Sequence, residues 1–307
     1  MENGYIVIIG GINADITGKA VKDVVRNESN IGKVTLTSGG VARNICENLV
    51  RLGVSCEFIT TFSDDHLADM LKTSCAKLGI STKYSYGTKE YSTGTYLSLE
   101  DHTGEMVAAV CDLSAIMNMP LSHIDKCNEV IVNATCIVID CNLSKPMIEY
   151  IADKYRDKII IAEAVSSAKV IKLKKCLSDI HTVKLNRQEF SALYGVEYTV
   201  DNGKRMSKKY KNRIFVTEGA DGSTGYENDQ VVHVDAIDVK KIVSVNGAGD
   251  SYAAGLAYGI KKGYDTLHCM RLGSIMSFIT LSSPGAVSKD ITERKILKML
   301  KETGKND

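Results

Sequence analysis

The sequence predicts an α/β fold: a central, mostly parallel sheet sandwiched by helices, with a small extra β-sheet. Three observations predict it. Short apolar runs alternate with amphipathic helical patterns along most of the chain. That rhythm breaks at residues 92–110, where two alternating runs flank a polar turn. A hydrophobic fraction of 44% in 307 residues supplies a sizeable core.

Tyr5 to Ile9 reads as a buried strand ended by Gly10-Gly11. "TSGGVARNICENLVRLG" places a glycine pair before an amphipathic helix that stops at Gly53. "VSCEFITTF" reads as a strand, and "DDHLADMLKTSCAKLG" as a helix ending at Gly79. "STGTYLSLEDHTGEMVAAV" reads as a β-hairpin turning at Asp101-His102-Thr103-Gly104. With the polar segment from Ile16 to Leu36 it predicts a small sheet outside the main one. The alternation then resumes. "CIVID", "KIIIAEA", "HTVKL" and "RIFVTEG" are strands, and "KPMIEYIADKY" is a helix. "SYAAGLAYGIKKG" and "TLHCMRLGSIMSFITLSS" are small-residue and apolar helices, and "ERKILKMLKETG" is a last surface helix. No internal repeat or proline-rich linker divides the chain, so one unit is expected over 1–307.

The bulk numbers exclude several classes. There are 38 basic and 37 acidic residues, a net charge of +1. That balance predicts neither nucleic acid nor an anionic membrane as partner. No apolar run approaches the roughly 18 residues of a membrane span. The amino terminus enters a strand-like run directly and lacks a signal-peptide pattern. The nine cysteines are scattered without a C-x-x-C pair, as expected for reduced, mostly buried thiols of a cytoplasmic protein. The six histidines show no zinc spacing. No G-x-G-x-x-G follows the first strand, which argues against a dinucleotide-dependent oxidoreductase.

"NGAGD", residues 246–250, carries the sharpest chemistry. A helix entrance offers unpaired N–H groups and partial positive charge to an anion. Gly247, Ala248 and Gly249 leave that entrance bare, so a phosphate can reach the backbone. Asp250 then has two readings: an ordinary helix cap, or a base for an attacking hydroxyl in phosphoryl transfer.

Four other stretches are ambiguous alone. Asn13 and Asp15 in "GGINAD" follow a strand end on a loop, where they suit vicinal hydroxyls or form an Asx-turn. Gly39 and Gly40 in "SGGVARN" open a helix with Asn44 one turn in, a ligand contact or a tight turn. Asn186 and Glu189 in "KLNRQE" suit either Mg²⁺ held through waters or a capping box. "VTEGADGS", with Thr217, Gly219 and Gly222, is a hairpin or a backbone shelf for a nucleotide.

In this order the motifs GG-x-N-x-D, SGG-x-x-x-N, N-x-x-E, T-x-G-x-x-G and GAGD resemble the ribokinase-like (PfkB-type) carbohydrate kinases, from Ile6 to about Val287. The resemblance implies a ribokinase-like three-layer sandwich with a β-sheet lid, built from inserts at about 12–36 and 92–111. It implies Asp250 as general base, with Gly247, Ala248 and Gly249 as anion hole. Asn13, Asp15, Gly39, Gly40 and Asn44 would hold the sugar. Asn186, Thr217, Gly219 and Gly222 would line the nucleotide site, and Asn186 with Glu189 would organise Mg²⁺. The co-substrate would be ATP. Family lids also pair between subunits, which implies a homodimer through the lid.

The chain departs from the family in places. Ser244-Val245 stand where Asp-Thr is common, and that acid often serves a monovalent-cation site. "SSPGAVS", residues 282–288, resembles the other half of such a site, so the K⁺ expectation is divided. Leu185 replaces a usual proline, and Glu163-Ala164 a common Asp-Pro. Within the family, "GGVARNICENLVRLG", the 96–114 lid segment, "EAVSSAK" with Lys169, and "SPGAVS" are similar to the pseudouridine kinases. That similarity implies the 5′-hydroxyl of pseudouridine as acceptor, its base beneath the lid hairpin near Thr93, Thr95 or Tyr96. Other nucleosides, ribose or a hexose fit the same catalytic set, and a sensor without turnover is the remaining alternative.

Overall fold

The computed structural model describes residues 4–303. The ends of the unit expected over 1–307, and Gly304 at the close of the last helix, lie outside the described residues. The main sheet has eight strands in the order β14-β13-β12-β11-β10-β9-β1-β4. They are β1 (Ile6–Ile9), β4 (Cys56–Ile59), β9 (Cys136–Asp140), β10 (Ile160–Glu163), β11 (Thr182–Asn186), β12 (Arg213–Thr217), β13 (Ser223–Glu227) and β14 (Gln230–Val234). β4 through β12 run parallel, and β13 and β14 add an antiparallel edge.

Both faces are covered, which is why the central strands read as unbroken β-branched runs. Every residue of β1 is fully buried. Alternation sends Val7 and Ile9 to one core, with Ile137, Ile139 and Ile148. Ile6 and Ile8 face the other, with Val138, Ile45, Leu256 and Met276. The first core is capped by α6 (Lys145–Lys154), α8 (Arg187–Tyr194), α7 (Ser167–Val170) and the short helices α3 (Ser114–Met117), α4 (Leu121–Lys126) and α5 (Asn128–Val132). α9 (Val200–Tyr210) lies over β12 and β13. The second is capped by α1 (Val41–Arg51), α2 (His66–Leu78), α10 (Ala248–Lys261), α11 (Thr266–Leu281) and α12 (Glu293–Thr303). This is the three-layer sandwich the sequence implied.

The second sheet has the order β3-β2-β7-β8, from β2 (Asn13–Ala20), β3 (Gly32–Gly39), β7 (Thr95–Glu100) and β8 (Met106–Asp112). The hairpin turns where expected: Asp101 Oδ1 accepts from the backbone N–H groups of Thr103, Gly104 and Glu105. The early segment pairs further than Ile16 to Leu36, because Asn13 is already in register with Gly39. Asn13 and Asp15 therefore sit on a strand, not on the expected loop. One strand is also divided. "VSCEFITTF" splits into β4 and β5 (Thr61–Phe62), and β5 leaves the main sheet to pair with β6 (Tyr86–Gly87). The thiol expectation holds for packing: eight of the nine free cysteines are buried, and Cys111 on β8 is exposed. Among the described residues, no helix is long and apolar enough to cross a membrane.

Candidate active site

The sequence-predicted residues gather at the carboxyl ends of the parallel strands, where open α/β sheets bind ligands. β1 delivers Gly10-Gly11, β11 delivers Asn186, and β12 delivers Thr217. The second sheet begins directly after Gly10-Gly11, with Asn13.

The entrance of α10 excludes the helix-cap reading of Asp250. The cap position is Gly247 at φ 77°, with no side-chain cap bond. Asp250 lies in the first helical turn, and its carboxylate accepts from Asn44 Nδ2 at 2.8 Å. It therefore does not cap its own helix. Gly247 is required twice over: its φ is left-handed, and a Cβ would overlap the Ala286 carbonyl. The "SSPGAVS" loop thus braces the bare entrance from behind. Ser244 Oγ there closes a turn on the Asn246 N–H, and Ser244-Val245 bring no carboxylate to that side.

Asn44 is aimed by its neighbour. Arg43 Nη1 donates to Asn44 Oδ1 at 3.1 Å, which fixes the amide so that Nδ2 faces Asp250. Arg43 is buried and pairs with Glu47 at 2.6 Å. Desolvation in the cleft pushes the Asp250 pKa up to about 6, against the Asn44 bond and the Lys184 charge, which lower it.

Asp15 lies in the same cleft, on the second sheet. It accepts from Asn13 Nδ2, and its carboxylate lies over Gly39, where any Cβ would displace it. Gly40, at φ 103°, lets the Gly11 carbonyl and the Asn13 side chain close in. Burial raises Asp15 to about 6, with Asn13 and Arg43 opposing and Asp250 adding to the rise. Two carboxylates with raised values therefore share one cleft, a pattern typical of functional sites.

Sheet register sorts the lid residues. Asp15, Tyr96 and Cys111 are in one row, and Ala14, Thr95 and Asp112 in the next. Successive rows face opposite sides. Tyr96 and Cys111 thus share the Asp15 face, and Thr95, expected at the acceptor, does not. Its hydroxyl donates to the Thr93 carbonyl at 2.9 Å. Lys169 is tied to the site from below: Nζ donates to Asn142 Oδ1 at 2.7 Å.

Asn186 and Glu189 form the capping box, through bonds of 2.7 and 2.8 Å. The box uses Asn186 Oδ1 and Glu189 Oε2, so Asn186 Nδ2 and Glu189 Oε1 are not part of it. Mg²⁺ prefers to keep several waters, and this pair suits holding the ion's water shell rather than the bare ion. Among the described residues, the one trio of acidic, His or Cys groups with ligand atoms within 4.8 Å is Asp23, Asp101 and His102, in the second sheet and its flanking loops. Thr217 is in register with Asn186, and Gly219 (φ 67°) and Gly222 (φ 93°) shape the tight turn into β13. Thr217, Gly219 and Gly222 are therefore neighbours on one hairpin, with Asn186 on the adjoining parallel strand.

Sequence reasoning missed several residues. Asp140 ends β9, fully buried, and accepts from the N–H groups of Gly11, Ala42 and Asn142 and from Asn142 Nδ2. It joins the Gly10-Gly11 turn, the start of α1 and the Lys169 tether. Its only sequence signal was an acid closing an apolar strand. Arg43 and Lys184 were equally unmarked. Lys184 bonds Glu163 at 3.1 Å beneath the α10 entrance.

Comparisons with known proteins bear on the family and the fold. The family model for pfkB family carbohydrate kinases matches residues 3–293. The chain is 29% identical over 304 residues to a pseudouridine kinase of Escherichia coli K12, covering 97% of each. A putative sugar kinase from Clostridium perfringens superposes with a TM-score of 0.86 at 29% identity, over 98% of this chain and 97% of that one. An Arabidopsis thaliana ribokinase complexed with ribose and ATP shares the fold, with a TM-score of 0.86 at 19% identity, over 97% of this chain and 99% of that one. With its ribokinase-like fold and a family match across nearly its whole length, the chain belongs to the pfkB family of carbohydrate kinases.

Proposed function

We propose that this kinase transfers the γ-phosphoryl group of ATP to the 5′-hydroxyl of pseudouridine. The observation that carries the mechanism is the Asn44–Asp250 bond, which brings the acceptor-side helix to the acid at the bare α10 entrance. Asp250 takes the proton of the attacking hydroxyl, and the oxygen forms its bond to the γ-phosphorus as the bond to ADP breaks. The N–H groups of Gly247, Ala248 and Gly249 receive the charge on the transferring group. Asp15, aimed by Asn13, accepts from a ribose hydroxyl, and Asn44 shares that task. Gly39 and Gly40 let them approach. Asn186, Thr217, Gly219 and Gly222 line the nucleotide. Asn186 and Glu189 hold the water shell of Mg²⁺, which when bound neutralises phosphate charge.

The pseudouridine assignment is supported by the E. coli relative and by chemistry under the lid. Lys169 presents a donor to a base carbonyl, and Tyr96 shares the Asp15 face. Nine free thiols suit a reducing, cytoplasmic setting. An apolar row on the opposite lid face, Leu36–Ile16–Leu97–Val110, supports a homodimer through the lid. Mg-ATP-dependent ADP release with pseudouridine, uridine, adenosine, ribose and fructose tests the acceptor. Turnover confined to pseudouridine is expected. Preference for another acceptor would keep the kinase and discard pseudouridine.

A further inference from the structure

Lys184 occupies a costly place. Its side chain is 6% exposed and that of Glu163 is 5% exposed, with Nζ and Oε1 3.1 Å apart. A Cβ on Gly249 would come within 2.9 Å of Nζ, so the ammonium lies against the first turn of α10. A cation at a helix N-terminus opposes the helix dipole. Burial adds a desolvation cost that an ion pair often fails to recover. The pair is also incompletely satisfied, since Glu163 Oε2 is buried without a hydrogen-bond partner. Apolar side chains here would serve folding at least as well. The arrangement therefore points to the neighbouring reaction.

The groups acting on Asp250 come from several elements. Asn44 reaches it from α1, and Lys184 from β11. Asp140 acts from β9, Asp15 from β2 and Glu163 from β10. Of these, Lys184 carries the positive charge. Burial pushes the Glu163 carboxyl up against the opposing Lys184 charge, so it offsets that charge less than an exposed carboxylate would.

We propose that Lys184, locked in place by Glu163, is a positioning residue for the base: its ammonium keeps Asp250 ionised and holds the backbone at Gly249. This deepens the kinase reading above and rests on Asp250 being the base.

The test is the acid limb of kcat/KM against pH for the full-length kinase with Mg-ATP and its best acceptor. Lys184→Met removes the cation, so the limb moves up by about one pH unit, the scale of an opposite charge in close range. Glu163→Gln keeps the cation, so its limb stays or moves down. A merely structural pair would move both limbs the same way or neither, and either result overturns the proposal. If Lys184→Met does not fold, Lys184→Met/Glu163→Gln, without buried charge, must show the same upward shift. A limb at the wild-type position in that variant overturns the proposal too. Failure of the kinase reading looks different: wild-type protein then turns over no acceptor at all.

Discussion

The side-chain amide of Asn44 donates to the Asp250 carboxylate across 2.8 Å, bridging 206 positions of sequence. The bond favours the ionised form of the acid, against burial, and engages it away from its own helix cap. Replacing Asn44 by Leu removes the donor. kcat/KM should fall by about 10–100-fold, the scale of a hydrogen bond to a charged group. The acid limb of the pH profile should also move up, because that bond lowers the Asp250 pKa. An unmoved limb would show that the amide only packs.

Burial holds the Asp250 pKa at about 6 in the fold, above its ordinary carboxylate value. The sign follows directly. Ionising a group with a raised folded pKa destabilises the fold, so the loss grows as pH rises through the folded value and is absent below the unfolded one. Asp250→Asn should therefore be more stable than wild type at pH 8, by about 1–2 kcal/mol. The gain should vanish near pH 4. Thermal melts across that range check it, and equal melting temperatures throughout would contradict it.

Gly247→Ala should disrupt the proposed anion hole. It must adopt a left-handed φ and displace the Ala286 carbonyl. A loss of about 2–3 kcal/mol and of most activity is expected. Gly53→Ala is the contrast, with φ 75° but nothing within 4 Å of the added carbon. It should cost about 1 kcal/mol and leave the rate alone. Denaturant titration with parallel rates separates the two.

The outer lid face presents Leu36, Leu97 and Val110 at 47%, 49% and 68% exposure along one register row. Adjacent apolar side chains on an exposed sheet mark an interaction surface. If the lid forms the proposed homodimer, Val110→Asp should shift it to monomer in light scattering after size exclusion. A wild-type monomer would refute the lid dimer.

Much of this site was legible because glycine and acid spacings are local. Gly247 to Asp250, Gly39-Gly40 and the Asn186–Glu189 box each lie within one turn, where sequence distance is spatial distance. The Lys184–Glu163 pair joins neighbouring strands, and Asp140 gathers a turn and a helix through its side chain. Those contacts depend on strand order, and nothing near each residue in the chain announces them. Thr95 shows a finer failure. Which of Thr95 and Tyr96 faces Asp15 depends on register parity, and a slip of one residue exchanges them. Asn13 and Asp15 looked like loop residues because the lid strand starts immediately after the glycine turn.

The most direct test of the central claim is the rate of ADP release with Mg-ATP and pseudouridine, wild type against Asp250→Asn, with phosphorus NMR of the product. Under the proposed function, pseudouridine 5′-phosphate is expected from wild type, with a rate at least about 10³-fold lower from the variant, as for loss of a general base. A variant that phosphorylates pseudouridine at the wild-type rate would contradict Asp250 as the base.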